Sequence, residues 1–335
     1  MVVSTLVLLT GAVSLWLTGQ VRAYALRHDV LDRPNARSSH VTPTPRGGGL
    51  AVLVAALLAL AVGVAVGRID ARHALAFAPG MIVLGIVGWR DDHGGLTARL
   101  RLAAHAAAAA ASLFVLGGLP DLVIGTRVLH LGPVGTVLAA IGIVWSINLF
   151  NFMDGIDGIA GSQGVLIFGV AAVLFHLRGA GSLATLSLVF AAAAAGFLYW
   201  NWPPARIFLG DVASGALGFM IAVLAVAGEN DRAVPLVAFG ILGGVFVADT
   251  TITLVRRMRR GDRLADAHRE HAYQRLARAW GGHRPVTLAA AATTMALAAL
   301  AAAATFRSGL AGPALLAAAV LLAALAFAAE RRAPM

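Results

Sequence analysis

An all-α, polytopic integral membrane protein is the fold this sequence predicts, on three observations. Of its 335 residues 59% are hydrophobic and only 13% charged, whereas an ordinary soluble domain carries about 25% charged residues. The apolar residues collect in runs long enough to cross a bilayer, which takes about 20 residues each. The 26 basic residues are all arginine, and they crowd into alternate loops between those runs.

Eleven runs qualify: 2–21, 47–67, 73–89, 102–118, 133–153, 159–177, 182–200, 212–228, 233–255, 285–306 and 310–329. Several are short or glycine-rich, so ten is the alternative count. The first run has no charged leader and no obvious cleavage site, and it reads as a retained helix, not a signal peptide. No polar stretch is long enough to bury a core of its own, so residues 1–335 form a single transmembrane domain.

With eleven spans, the loops at about 22–46, 90–101, 150–160, 201–212 and 256–284, together with the C-terminus, share one side and hold 20 of the 26 arginines. The positive-inside rule makes that side cytoplasmic and puts the N-terminus in the periplasm. The charge is thereby explained by topology. No basic domain with interleaved aromatics is present, which argues against a nucleic-acid partner. Absence of cysteine excludes disulfide frameworks and thiolate metal sites. The opposite loops are short and plain; the longest, 119–132, reads as a small hairpin. Alanine runs such as 106–111 and 301–304 suit close helix packing through small residues.

Nearly all clustered Asp, Asn and His residues fall on the arginine-rich side, in five patches. The central one, 148–161, holds Asn148, Asn151, Asp154 and Asp157 between two apolar runs. Carboxylates at a bilayer edge are costly and therefore functional candidates. Three residues apart, Asp154 and Asp157 are expected on one helix face. The patch at 32–49 combines Arg46 with arginines, hydroxyls and a glycine run at a helix start, which suits an anion or, more plainly, a basic turn. Asp91 and Asp92 are adjacent at a helix end, and two such carboxylates need a cation, a proton or a partner. In the patch at 199–214 the Trp and Tyr residues suit an interfacial belt, Phe208 a lipid or core contact, and Asp211 a helix N-cap. The last patch runs from Asp249 into a loop with nine arginines between Arg256 and Arg284, and holds His268 and His271, which suit a metal, a phosphate or neither. Glycines 240, 243 and 244 allow the helix carrying Asp249 to break. Oxygen ligands and arginines from distant segments on one face suit Mg²⁺ with a diphosphate.

The order Asp-Asp, then Asn-x-x-Asn-x-x-Asp-Gly-x-Asp-Gly, then Phe-x-Gly-Asp, then a His motif resembles the polyprenyl-phosphate N-acetylhexosamine-1-phosphate transferases, from Asp32 to about Arg284. The resemblance implies ten or eleven spans in the bacterial inner membrane and a cytoplasmic active site. It implies transfer of a sugar 1-phosphate from a UDP-N-acetylhexosamine to undecaprenyl phosphate, releasing UMP, with Mg²⁺ (or Mn²⁺). Carried onto this chain, Asp91 and Asp92 match the pair tied to acceptor activation or catalysis, and Asp92 a second metal-ligand candidate. Asn148, Asn151, Asp154 and Asp157 match the nucleotide-sugar wall, and Asp211 the metal-ligating Asp. Phe208 matches the aromatic on uracil, Asn201 an Asn before that motif, and His268 and His271 the outer positions of the His motif.

That motif reads His-Arg-Glu-His-Ala-Tyr-Gln, unlike the triple-His form of the muramoyl-pentapeptide branch. It is similar to the branch that starts O-antigen or other surface polysaccharides. One departure is Ala213, where the family usually has Gly. The rival from another class is a transporter or flippase, which also uses intramembrane acids and broken helices; the lack of an internal repeat and the acids at loop edges argue against it. Homodimerisation stays open.

Overall fold

The computed structural model describes residues 1–34, 42–262 and 268–334, without the side chain of His93. Residues 35–41 of the first polar patch and 263–267 of the last lie outside that description. Helices α1 (Val2–Arg27), α2 (Gly49–Ala65), α3 (Ala71–Gly94), α4 (Ala98–Leu116), α5 (Gly132–Met153), α6 (Ile159–Leu177), α7 (Gly181–Asn201) and α8 (Asp211–Asn230) follow in order. They are followed by α9 (Leu236–Leu242), α10 (Gly244–Arg260), α11 (Ala272–Ala279), α12 (His283–Phe306) and α13 (Ala311–Arg332). Among the described residues nine helices are long and apolar enough to cross a membrane, and α9 with α10 make a tenth span. Helix α2 is apolar but shorter, at 17 residues. Each of the eleven expected runs is thus helical, and the chain is a multi-pass, all-α membrane protein.

Two short β pairs complete the fold. Strands β1 (Leu31–Asp32) and β2 (Thr44–Pro45) pair antiparallel at the foot of α2. Strands β3 (Asp121–Ile124) and β4 (Arg127–His130) form the expected hairpin at the opposite end of the bundle. There the Glu229 carboxylate accepts from the Val123 and Leu236 backbone N–H groups, both at 2.5 Å, and ties the hairpin to the starts of α9 and the loop before it.

Helix α8 is the centre of the bundle. In its spanning stretch 89% of the residues are buried, against 17% for α13. Its close neighbours are α3 and α5, and small residues set the approach, as expected where lipid gives no hydrophobic drive between helices. A Cβ on Gly218 would come 2.1 Å from the Ser146 carbonyl oxygen of α5, and the Ser146 hydroxyl donates to the Gly218 carbonyl at 2.7 Å. A Cβ on Gly88 of α3 would meet the Asp211 carbonyl at 2.5 Å. The alanine run of α4 packs the same way: Ala108 and Ala109 are buried, and Ser112 donates to the Ala76 carbonyl at 2.7 Å.

Two expectations meet different outcomes. The glycine-rich run before Asp249 does break: α9 and α10 are bent by 73° at Gly243. The central acids, by contrast, do not share a helix face. Helix α5 ends at Met153 and α6 begins at Ile159, so Asp154 and Asp157 lie in the turn between. Gly158, the residue before α6, stands at φ 74°, a conformation that favours glycine and that a continuous helix through the turn would exclude.

Candidate active site

Two helix ends and one turn bring the acids together on the arginine-rich face. The C-terminal turn of α3 carries Asp91 and Asp92, the start of α8 carries Asp211, and the α5–α6 turn carries Asp154 and Asp157. Asp91 is held by Arg101 Nη1 at 2.8 Å and by the Leu96 N–H at 2.5 Å. Its carboxyl group also lies within hydrogen-bonding reach of Asp211. The buried Asp92 accepts from the Asp211 N–H at 3.3 Å through Oδ1. Arg46 caps this corner, with Nη1 4.0 Å from Asp92 Oδ1 and Nη2 donating to the Asp92 carbonyl.

The loop before α8 is placed by the loop before α2. Phe208 N–H donates to the Pro45 carbonyl at 2.8 Å, and the Gly48 and Gly49 N–H groups donate to the Phe208 and Leu209 carbonyls at 2.9 Å each. Gly210, at φ 75°, passes so close to Asp92 that a Cβ there would stand 2.6 Å from Oδ2. Ala213, the departure from the usual glycine, does not disturb the approach, because glycine stands opposite it. A Cβ on Gly49 would lie 2.3 Å from the Ala213 methyl.

A pocket of about 580 Å³ opens from this corner. Of the expected residues, Asp91, Asn148, Asn151, Asp211, His268 and His271 line it. Asn151 is fixed by the Ser214 hydroxyl, which donates to Oδ1 at 3.0 Å. The His268 and His271 rings stack with centroids 4.9 Å apart. Burial, then the neighbouring His271 and Arg257, push the His268 imidazole down to about 4, so it is neutral near pH 7. Asp154, half-buried in the α5–α6 turn, is not part of the pocket wall. Burial first, then the charges of Asp211, Asp157 and Asp92, hold its carboxyl well above the usual carboxylate range. The acids therefore form one electrostatic cluster that favours a proton or a cation.

Other expected residues sit outside the pocket wall. Asp157 faces away: its Oδ1 is 3.1 Å from His283 Nδ1 and its Oδ2 accepts from the Ala205 N–H at 3.0 Å. The buried Asn201 accepts from the Gly158 N–H and donates to the Ile207 carbonyl, both at 2.9 Å, and so joins the two loops. Phe208 is half-buried on the loop before α8. Asp249 is engaged by the start of α11. It accepts from the Ala272 and Tyr273 N–H groups at 2.9 and 3.0 Å and stands 3.2 Å from His271 Nδ1, capping α11 from another helix.

Five residues that were given no site role from the sequence also line the pocket: Arg101 and His105, and, inside the motifs, Gly155, Tyr273 and Gln274. His105 stands out in pattern as the lone imidazole in an alanine-rich helix; its Nδ1 is 3.4 Å from Asn148 Nδ2. Beside this pocket lies a second, apolar cavity of about 330 Å³ between α10, α11, α12 and α13, with Val245, Leu276, Trp280 and Leu322 in its wall.

Fold and site together define a multi-pass membrane protein with an acid-lined pocket on its arginine-rich face, the kind of site a membrane enzyme would use. The comparisons agree: residues 74–229 match glycosyl transferase family 4, and the chain belongs to that family. A decaprenyl-phosphate N-acetylglucosaminephosphotransferase of Mycolicibacterium smegmatis is 31% identical over 84% of this chain and 77% of its own length. A probable undecaprenyl-phosphate N-acetylglucosaminyl 1-phosphate transferase of Bacillus subtilis is 29% identical over 78% of this chain and 73% of its own. A phospho-N-acetylmuramoyl-pentapeptide-transferase of Shouchella clausii is 30% identical over 64% and 68%.

Proposed function

We propose that this transferase moves an N-acetylhexosamine 1-phosphate from a UDP-N-acetylhexosamine to undecaprenyl phosphate on the cytoplasmic face of a bacterial inner membrane. The observation that carries this reading is the pair of cavities: a polar pocket walled by Asp91, Asp211 and His268 beside an apolar cavity under the bent α9–α10 span. One suits a charged nucleotide sugar and the other a prenyl chain that stays in the bilayer. The His-Arg-Glu-His-Ala-Tyr-Gln sequence favours the branch that initiates O-antigen or another surface polysaccharide over the muramoyl-pentapeptide branch.

In this reading an acceptor phosphate oxygen attacks the β-phosphorus of the donor. The new P–O bond forms as the bond from the β-phosphorus to the bridging oxygen breaks, and UMP leaves with that oxygen. The acceptor phosphate is largely ionised near neutral pH, with a second pKa of about 6, so position matters more than a strong base. Arg101 and Arg46 supply positive charge to the corner while holding Asp91 and Asp92 in place. Neutral His268 offers a hydrogen bond without adding charge, and Asn148 and Asn151 offer amide donors and acceptors. Asp91 or Asp92 as general base or nucleophile belongs to this proposal.

The donor set fits Mg²⁺. Asp91 and Asp211 present hard oxygens within hydrogen-bonding reach of each other. Among the described residues no group of three His, Asp or Glu side chains forms a complete cage, which matches an ion held by one or two carboxylates and the substrate's phosphates. When bound there, Mg²⁺ would neutralise charge on the diphosphate. Purified protein with undecaprenyl phosphate, Mg²⁺ and a panel of UDP-N-acetylhexosamines, UDP-N-acetylmuramoyl-pentapeptide included, should release UMP with one N-acetylhexosamine donor. Release only with the pentapeptide donor would move the chain to the other branch, and release with none would overturn the reading.

A further inference from the structure

One residue among those described lines both cavities: Tyr273, in the His-Arg-Glu-His-Ala-Tyr-Gln stretch. Its side chain is buried, with 4% of the residue exposed, and it is fixed on three sides. The hydroxyl donates to the Phe152 carbonyl at 3.0 Å, two residues before Asp154. The ring stacks on His271 with centroids 5.6 Å apart. The backbone N–H is held by Asp249 at 3.0 Å, on the bent helix that walls the apolar cavity. Tyr273 also lines the apolar cavity, together with Leu276, Trp280 and Leu322.

Resting on the reading of the two cavities as nucleotide-sugar and prenyl sites, we propose that Tyr273 is the partition between them and a positioning residue that couples their occupancy. A chain in the apolar cavity bears on the ring. A ring held in place keeps the hydroxyl on Phe152 and so keeps the turn with Asp154 ordered. A nucleotide that meets an already ordered turn loses less conformational entropy on binding, which is positive cooperativity without any larger movement. Burial and the charges of Asp249 and Asp154 hold the phenol well above its usual range, so it remains a donor throughout the working pH range. The device would favour donor binding when lipid is present.

The test uses binding alone, so that it does not depend on turnover. UDP with Mg²⁺ is titrated by calorimetry into the full-length protein in lipid nanodiscs, with and without farnesol, a prenyl chain lacking a phosphate that would compete. Wild type should bind UDP about fivefold or more tightly with farnesol, the lower end of ordinary coupling. Tyr273→Phe keeps the partition and should bind farnesol as wild type does while the coupling falls below about twofold. Tyr273→Ala joins the cavities and should lose both coupling and farnesol affinity. Wild type that binds both probes independently, or Tyr273→Phe with undiminished coupling, would overturn the partition while leaving the transferase reading standing if UMP release is normal. Failure of wild type to bind UDP at all would remove the nucleotide reading and this proposal with it.

Discussion

Asp157 and His283 meet twice, Oδ1 standing 3.1 Å from Nδ1 and the Asp157 N–H donating to Nδ1 at 3.3 Å, and this pins the α5–α6 turn to the start of α12. The Thr287 hydroxyl adds a bond to the Asp157 carbonyl at 2.8 Å. Two acids of one motif therefore do different work. Asp157→Asn should lower the melting temperature of the purified protein, since hydrogen bonds to charged groups are worth about 1.5–3 kcal/mol. Asp154→Asn should raise it, because a crowded, costly charge is removed, and should abolish UMP release while the protein still inserts. Thermal scans paired with activity check this. A loss of stability in both variants would make Asp154 a second clamp.

The same crowding gives a pH dependence whose sign is fixed. Asp154 titrates well above an ordinary carboxyl, by burial first and then by its acidic neighbours. A folded-state value above the unfolded one means stability that is present below about pH 4 and lost as pH rises through the folded-state value. Without divalent cations the melting temperature should therefore fall as pH rises above about 4. Mg²⁺ should flatten that slope, and Asp154→Asn should flatten it without Mg²⁺. An equal slope in all three conditions would place the cation elsewhere.

Runs of apolar residues and alternating arginines made the bundle legible, because both reflect one-dimensional demands of a bilayer. The hairpin at 121–130 and the break at Gly243 were legible for the same reason, since turn residues act locally. The partners were not. His283 lies 126 residues from Asp157, and the α11 backbone that Asp249 caps lies more than 20 residues beyond it. Arg101 reads as one more topology determinant until the fold sets it 2.8 Å from Asp91. Periodicity cannot show that the helix stops between Met153 and Ile159, which turns Asp154 and Asp157 to different neighbours.

Neutral His268 makes donor binding proton-linked. Burial leads its depression to about 4, with His271 and Arg257 adding to it. A diphosphate in the pocket would add negative charge nearby and draw the value back up. Near pH 6 UDP binding should then take up protons, seen as a heat that varies with the ionisation enthalpy of the buffer. His268→Gln should lose that uptake. Uptake unchanged in His268→Gln would assign the proton to another group, with His105 the next candidate on the pocket wall.

Gly155 leaves room for the Tyr273 hydroxyl, and the fit is tight enough to test directly. A Cβ at position 155 would stand 2.2 Å from that oxygen and 3.0 Å from Gln274 Nε2, well inside contact distance. The tyrosine has little freedom to yield, because its ring is buried and its hydroxyl is bonded to Phe152. Gly155→Ala should therefore cut UMP release by about tenfold or more, the scale on which small displacements of positioned groups act. Removing the offending oxygen should relieve the clash, since the ring carbon behind it is 3.1 Å from the same Cβ. The double variant Gly155→Ala with Tyr273→Phe should thus be more active than Gly155→Ala alone. Contact makes the two changes non-additive in that direction. Strictly additive losses in the two-by-two comparison would mean that the alanine acts on the backbone of the turn and not through Tyr273.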